Sequence, residues 1–460
     1  MRRVRPSAAC RQLYVYVCLP RGHLLKRFRP PARSSLVNML SAEDNKLITE
    51  VGPGTLMGNL FRRYWLPAML SEELPEPDCA PVKLRLLGED LLAFRMTSGQ
   101  VAIVDRWCPH RNANLYWGRN EEEGIRCVYH GWKFDGTGQC VDMPNEPPAS
   151  TFASRIRIPA YQALDRGGVV WVYMGPKELT PEIPQLEWLG VPASHRIVSK
   201  RMQFCNWLQN LEGEVDSSHV SFLHSNIGLE AFRPLAGNAD RHPVFSVLNT
   251  NWGVAVCARR DDGPDQYYWR ITPFLLPSYT IVPGPMGGGV QLGQTGGQYL
   301  FTAAVPIDDT NMIGLSVVWN PDAPVSGGPL VPVDAKYVPL QRKDNDFLID
   351  RQAQKTRSFT GIDNIRVQDI AVQEDQKGPL SDRTTEHLGS ADLGVIATRR
   401  RLLDQARALA DGAEPTEPQN PAAYDIRSLA MSADRATEWQ DLMQRYMVEK
   451  QPAMTQHIFV

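Results

Sequence analysis

The sequence predicts an α+β protein in two units. The first is an N-terminal antiparallel β domain; the second is a larger α+β domain with an antiparallel sheet and flanking helices. Three observations predict this. Short apolar runs (VKLRLLG, LLAFRM, QVAIVD) are separated by Gly-Glu-Asp and Ser-Gly-Gln, which is hairpin chemistry. A Pro-rich junction, ELTPEIPQLEWLGVP, then interrupts the pattern. Beyond it, longer strand-like runs share the chain with helical zones at 206–224 and 340–375, the mixture expected of a sheet covered by helices.

In chain order, residues 1–38 hold eight arginines and one lysine and no acidic residue. Such a composition suits a targeting segment, but the apolar run LYVYVCLP is short and Pro20 and the Arg-Pro pairs fit a helical transit peptide badly. An extension without a fold is the simpler expectation, with Met39 as a start. NKLITEVGPGTLMGNLFRRYW reads as a short helix, a Pro-Gly turn and an amphipathic helix. The hairpin runs follow, then KFDGTGQCVD, RIRIPAYQA and GVVWVYMG as further strands. After the junction come the strands RIVSKRMQF, WGVAVCARR, YYWRITPF, YLFTAAVPI and MIGLSVVWN, and a helix in ADLGVIATRRRLLDQARALADG. GPMGGGVQLGQTGGQ lacks the Lys-Ser/Thr of a phosphate loop and the helix of a dinucleotide fingerprint, so it reads as a loop. The expected division is an extension 1–38, a first domain 39–180 with its leading helices, a second domain 181–445 and a tail 446–460.

Bulk properties narrow the function. A chain of 460 residues can bury a large core. A net charge of −2 gives no electrostatic case for nucleic acid, and no run approaches the roughly 18 apolar residues of a membrane span. Eight scattered cysteines do not form a disulfide framework, so a reducing, cytoplasmic setting is expected.

The chemistry begins at WCPHR and CVYHGW. Each short loop offers one thiolate and one imidazole: Cys108 and His110, then Cys127 and His130. Zinc sites usually keep like ligands together, as C-x2-C and H-x3-H. The interleaving here suits a Rieske [2Fe–2S] centre, where one iron takes two thiolates and the other two imidazoles. Pro109, Gly131 and Trp132 suit tight loops shielded by an aromatic ring.

A second centre is expected in NWLQNLEGEVDSSHVSFLH, which holds Asp216, His219 and His224. Two histidines and a distant carboxylate form the facial triad of non-haem Fe(II) oxygenases. Residues five apart on an ideal helix diverge by about 140°, so His219 and His224 share a metal only if the helix is distorted or ends between them. Asp216, three residues before His219, is on its face and can accept the N–H of a metal-bound imidazole. For the carboxylate, FTGIDNIRVQDIAVQEDQKG offers Asp363, Asp369, Glu374 and Asp375. Read as a helix, Ile362, Ile365, Asp369 and Val372 fall within about 80°. Asp369 alone sits in that apolar stripe, Asp363 and Glu374 project to the far side, and a core-facing carboxylate needs a partner or a metal.

These spacings together, C-x-H, sixteen residues, C-x2-H, then D-x2-H-x4-H, resemble the α subunits of Rieske non-haem iron oxygenases. PGTLMGNLFRRYWLP, GRNEEEGIRCVYHGWKFD, DSSHVSFLH and QDIAVQEDQKGPLSDRTTEHLGSAD resemble the phthalate 4,5-dioxygenase branch, over roughly residues 40–445. The resemblance implies a cluster on Cys108, His110, Cys127 and His130, a mononuclear Fe(II) on His219, His224 and Asp369, and O2 as co-substrate. It implies that Asp216 bridges His219 to a cluster histidine of a neighbouring subunit, His130, in head-to-tail trimers or stacked trimers. It also implies electrons from a separate NADH-dependent flavin and iron–sulfur reductase, since this chain has no C-x4-C-x2-C motif and no nucleotide site. One departure stands out. Other branches often place Asn four residues before the bridging Asp, where this chain has Glu212, so no role resting on that Asn carries over.

The function expected is the terminal oxygenase of a ring-hydroxylating dioxygenase acting on an aromatic, carboxylated substrate. A monooxygenase or oxidative O-demethylase is the alternative within the fold, and a pure Rieske electron carrier the alternative outside it. Alternation along WGVAVCARR and YYWRITPF puts Arg260 with Val254 and Val256, and Arg270 with Tyr268. Either arginine, among apolar and aromatic groups, can clamp a carboxylate; the competing expectation is that both end strands and meet Asp261, Asp262 or Asp265 at the surface.

Overall fold

The computed structural model describes residues 39–225, 240–283 and 297–451. The arginine-rich extension, nearly all of the Gly-rich loop and the end of the tail lie outside the described residues. The chain enters through two helices with side-chain caps: Ser41 accepts from Asp44 N before Ala42–Thr49, and Thr55 accepts from Gly58 N before Leu56–Phe61. Both helices pack against the C-terminal helix Leu393–Ala410.

The first sheet has six strands, in the order Trp65–Leu70, Val169–Tyr173, Ala160–Arg166, Val101–Asp105, Glu89–Arg95, Val82–Leu86. Its first strand goes unpredicted because all six residues are buried, leaving no alternation to mark it. The strand read at RIRIPAYQA starts at Ala160; Pro159, with no N–H to donate, keeps the preceding residues out of the ladder. Two small sheets carry the loops of interest. Trp107–Cys108 pairs with Ala113–Asn114, and Arg119–Glu121, Gly124–Arg126, Lys133–Asp135 and Cys140–Asp142 form a four-stranded meander. Each Cys/His loop thus closes a hairpin.

The second sheet has eight antiparallel strands. Arg196–Gln203, Met312–Trp319, Tyr299–Pro306, Tyr279–Val282, Gln266–Leu275, Gly253–Asp261 and Val244–Asn249 follow one another, and Leu429–Asp434 adds to Gln266–Leu275. The sequence reading missed Val244–Asn249, Tyr279–Val282 and Leu429–Asp434. The helix Trp207–Val215 covers one face of this sheet, beside Leu393–Ala410.

Both predicted helical zones are shorter than expected. The first ends at Val215: Asp216 has φ −84° and ψ 115°, and only a 3-10 turn, His219–Ser221, follows. The second breaks into a 3-10 segment Lys343–Leu348, a helix Arg351–Thr356 and a helix Ile365–Glu374 whose cap, Asn364, accepts from Arg366 N and Val367 N. Trp207–Val215 and Ile365–Glu374 touch, and Gly213 sets how closely: a Cβ there would lie 2.3 Å from the Gln373 amide nitrogen. Buried amides line this contact, with Gln203 Nε2 donating to Gln373 Oε1 (2.7 Å) and Gln209 Nε2 to the Gln373 carbonyl (2.6 Å).

Glu212 ties the same helix to the C-terminal region. Arg383 holds its two oxygens at 2.9 and 3.0 Å, Arg399 donates at 2.6 Å, and Arg399 also bonds Glu386. Burial alone would push the Glu212 carboxyl up, but the two guanidinium groups hold it below its ordinary value of 4.5. A depressed carboxylate adds stability that is complete above its unfolded pKa and is lost as pH falls through the folded one. Glu212→Gln, which takes the carboxylate from buried Arg383 and leaves Arg399 with Glu386 alone, should therefore cost about 3–5 kcal/mol at pH 7. The gap from the native chain should narrow below the unfolded value, as read from urea midpoints at a series of pH values. A gap that stays constant down to acid pH would show that the ion pair is not its source.

Candidate metal centres

The first centre forms at the tips of the two hairpins. In one loop Asn112 N donates to the Cys108 carbonyl (2.9 Å); in the other Gly131 N donates to the Cys127 carbonyl (3.0 Å) and Cys127 N to the Trp132 carbonyl (2.8 Å). Gly131 has φ +78°, and a Cβ there would press on Pro144 at 2.5 Å, so only glycine makes this turn without strain. The loops bring all four candidate ligands together. Cys108 and Cys127 are buried and close enough for their charges to act on each other. The His110 and His130 rings lie 4.4 Å apart, and Trp132 stacks on His110 at 4.4 Å and 9°.

Two features fit this pocket to an iron–sulfur cluster. His110 Nδ1 is buried without a hydrogen-bond partner, a cost that a metal bond would remove. Burial pushes the Cys108 thiol up to about 12; a thiolate there needs the positive charge that ligation supplies.

The second centre depends on the helix ending at Val215. Asp216 then folds back on its own chain: its carboxylate accepts from Ser218 N (2.6 Å), from His219 N (3.3 Å) and from the His219 ring at Nδ1 (3.2 Å). The predicted Asp216–His219 contact is present, but it comes from this turn and not from a shared helix face. Freed of the helix, His219 and His224 aim at one point, Nε2 to Nε2 at 3.2 Å, with Asp369 Oδ1 at 3.6 and 3.2 Å from them. Among the described residues these three form the one group of His, Cys, Asp and Glu donors gathered closely enough for a single metal ion. Three lone-pair donors facing each other in a partly buried pocket fit a divalent cation.

Asp369 is in place, though its predicted stripe is not the buried face. Ile365 and Val372 are 38% and 45% exposed, while Val367 and Ile370 are wholly buried with Asp369. The helix starts only at Ile365, so Ile362 does not extend the stripe. Glu374, expected on the far side, is buried and accepts from Phe204 N at 2.9 Å; Asp363 is exposed. Burial pushes Asp369 up, but the His224 hydrogen bond, His219 and Arg366 together hold it below the usual carboxylate range. Arg366 sits 2.7 Å from Glu214 and 3.6 Å from Asp369 Oδ2.

The two candidate arginines are buried, which overturns the surface expectation; Asp261 pairs instead with Arg435 at 2.6 Å. Tyr268 pairs with Arg260, and Arg270 with Ala258, so both guanidinium groups share one sheet face. Arg260 donates to the hydroxyl (3.2 Å) and the carbonyl of Ser217, inside the Asp216 turn. Arg270 is close enough for its charge to act on His219, and no carboxylate among the described residues lies within ion-pair distance of it. Ser217, Glu214, Arg366 and Gln368, which touch these groups, went unnoticed in the sequence because polar residues beside stronger candidates carry no pattern of their own.

Comparison with known proteins places both units. Residues 64–160 match the family described as Rieske [2Fe-2S] domain, and residues 172–458 the family described as LigXa C-terminal domain like. The chain is 40% identical over 397 residues to the 3-chlorobenzoate-3,4-dioxygenase oxygenase subunit of Comamonas testosteroni, covering 80% of this chain and 89% of the relative. It is 37% identical over 437 residues to the phthalate 4,5-dioxygenase oxygenase subunit of Pseudomonas putida, covering 89% and 96%. Among solved structures, the terminal oxygenase of carbazole 1,9a-dioxygenase from Nocardioides aromaticivorans IC177 shares the fold with a TM-score of 0.54 at 21% identity, covering 79% of this chain and 99% of that one.

Asp369→Asn keeps the shape of the second centre and removes its one anionic donor. Divalent-metal uptake there should fall beyond the roughly 10–100-fold typical of losing an outer partner, with the visible absorption of the first centre unchanged. Uptake equal to the native chain in a Co(II) titration would remove Asp369 from the site.

Proposed function

The chain belongs to the Rieske non-haem iron oxygenases, and on that premise we propose that Cys108, His110, Cys127 and His130 hold its cluster, that His219, His224 and Asp369 hold its iron, and that it oxidises an aromatic acid. Its relatives make it a terminal oxygenase component, an oxidoreductase that uses a [2Fe–2S] cluster, a mononuclear iron and O2 and takes electrons from a partner protein. When bound, the cluster relays single electrons and the iron activates O2 at its open positions.

The protein's own residues do the rest. Asp216 holds the His219 Nδ1 proton, which leaves Nε2 free for the metal. Its carboxylate is 24% exposed, and His130 is half-buried on the other domain. A head-to-tail trimer or stacked trimer that sets His130 of one subunit against Asp216 of the next gives the electron a hydrogen-bonded route. The partner in this reading is an NADH-dependent flavin and iron–sulfur reductase, and the setting is the cytoplasm; no helix among the described residues is long and apolar enough to cross a membrane.

The observation that carries the aromatic-acid reading is Arg270: a buried cation, its Nε without a partner, on the sheet face that looks toward His219. Burial holds its pKa below the ordinary arginine value, so an incoming carboxylate meets a desolvated, unpaired guanidinium. Arg260, engaged with Ser217, backs it.

Arg270→Leu should raise KM for an aromatic acid by tens- to hundreds-fold, about 2–3 kcal/mol, and leave a neutral analogue of the same shape little affected. Equal effects on both would assign Arg270 to the fold. In the same assays a cis-diol marks dioxygenation, whereas a phenol with formaldehyde marks O-demethylation. Co-expressing Cys108→Ser with His219→Ala should restore part of the activity that each lacks alone, because a good cluster then neighbours a good iron. Mixed oligomers with no activity would place electron transfer within one chain.

A further inference from the structure

The two histidines of the second centre are backed differently. His219 has the Asp216 carboxylate behind it; His224 has a neutral amide, with Nδ1 2.7 Å from Gln368 Oε1. Gln368 is buried, and its amide nitrogen donates to the Ile362 carbonyl at 2.6 Å. That second bond decides the first. A carbonyl can only accept, so the amide nitrogen must face Ile362 and the amide oxygen must face His224. An amide oxygen can only accept as well, so His224 Nδ1 must carry the proton. The ring's lone pair is then on Nε2, the atom that faces His219 Nε2 and Asp369 Oδ1.

We propose that Gln368 is a positioning residue for His224: by accepting the Nδ1 proton it fixes the tautomer and the ring angle that present Nε2 to the metal. The inference rests on His224 being an iron ligand. Gln368 is adjacent to Asp369 on the helix Ile365–Glu374, so one turn of one helix supplies both the carboxylate donor and the group that orients an imidazole donor contributed by a separate segment. Anchoring to Ile362, just before the helix, keeps the amide from rotating to offer its nitrogen, which would push His224 to the other tautomer and turn a proton toward the metal. A neutral backing group also leaves His224 a weaker donor than His219, whose backing group is an anion.

The test uses the full-length protein with its cluster in place, depleted of mononuclear iron and titrated with Fe(II), with nitric oxide added for the electron paramagnetic resonance signal of the nitrosyl adduct. Gln368→Leu, of similar size with no acceptor, should weaken Fe(II) binding by roughly 10–100-fold, alter the adduct's rhombicity and leave the cluster spectrum unchanged. Gln368→Met, unbranched like glutamine and without a carbonyl acceptor, should weaken binding and alter the adduct in the same way. Native-like affinity and signal in the Leu variant would overturn the proposal. Should that variant fail to fold, the Met variant decides, since native-like affinity and signal there would overturn the proposal equally. His224→Ala separates the two layers of the argument. If it binds Fe(II) like the native chain, His224 is not a ligand and the iron-site reading fails; if it loses Fe(II) while Gln368→Leu does not, only the role of Gln368 fails.

Discussion

The second centre depends on where one helix stops. Trp207–Val215 is a well-buried helix, and nothing in its apolar pattern requires it to end before His219. Asp216 ends it: its carboxylate takes the Ser218 and His219 amides, and a side chain that offers the backbone an alternative partner competes with the helix ladder. The Arg260 bonds to Ser217 hold the turn from the sheet side. Had the helix continued, His219 and His224 would diverge and no three donors would converge. The Glu212 ion pairs fix the helix just before this break, and Gly213 lets the helix bearing Asp369 come close enough to complete the set.

How much of this could be read from the sequence follows from how local each feature is. The gathering of the four candidate ligands of the first centre was legible, because they lie between residues 108 and 130 and hairpin tips leave little freedom in their placement. The second was legible in residue identity but not in geometry. His219 and His224 were found together with the condition on the helix they require, whereas Asp369 was chosen from an apolar stripe that is solvent-exposed at Ile365 and Val372. Asp369 nonetheless lies beside His219 and His224, because it also borders Val367 and Ile370 on the buried face. Trp65–Leu70 and Tyr279–Val282 escaped because they show no alternation and are shorter than the buried Tyr299–Pro306 and Met312–Trp319, whose long apolar runs mark them as strands. The Arg260 and Arg270 faces followed from alternation, but their burial did not, since sequence alone cannot say which residues close over a sheet edge.

Charge gathers around the second centre in a way that burial normally forbids. Glu214, Asp216 and Asp369 face Arg201, Arg260, Arg270 and Arg366. Most of these cations are satisfied: Arg366 by Glu214, Arg260 by Ser217, and Arg201 by Gln203 and Ser316 at 3.3 and 3.4 Å. Burial and then the neighbouring cation, Arg366 for Arg201 and Arg270 for Arg260, bring both guanidinium groups down to about 10. The shell is therefore positive before any metal ion arrives, and a divalent cation makes it more so. An anionic ligand is the physical complement of such a pocket, and an electroneutral one has to leave a desolvated charge exposed to it.

The spacing of the ligands also sets an order of maturation. Every strand of the first sheet, and all four candidate cysteine and histidine ligands, lie before residue 174, so a chain emerging from the ribosome can form that sheet and those loops while most of the polypeptide is still unmade. The mononuclear iron has no such early opportunity: its carboxylate arrives 145 residues after His224, and the helix that anchors Glu212 later still. The two short helices at the entrance, made first, find their packing partner in Leu393–Ala410 near the end. Chain order thus makes the first unit complete before the donors of the second can meet, and the last long helix to emerge closes the fold over the first helices.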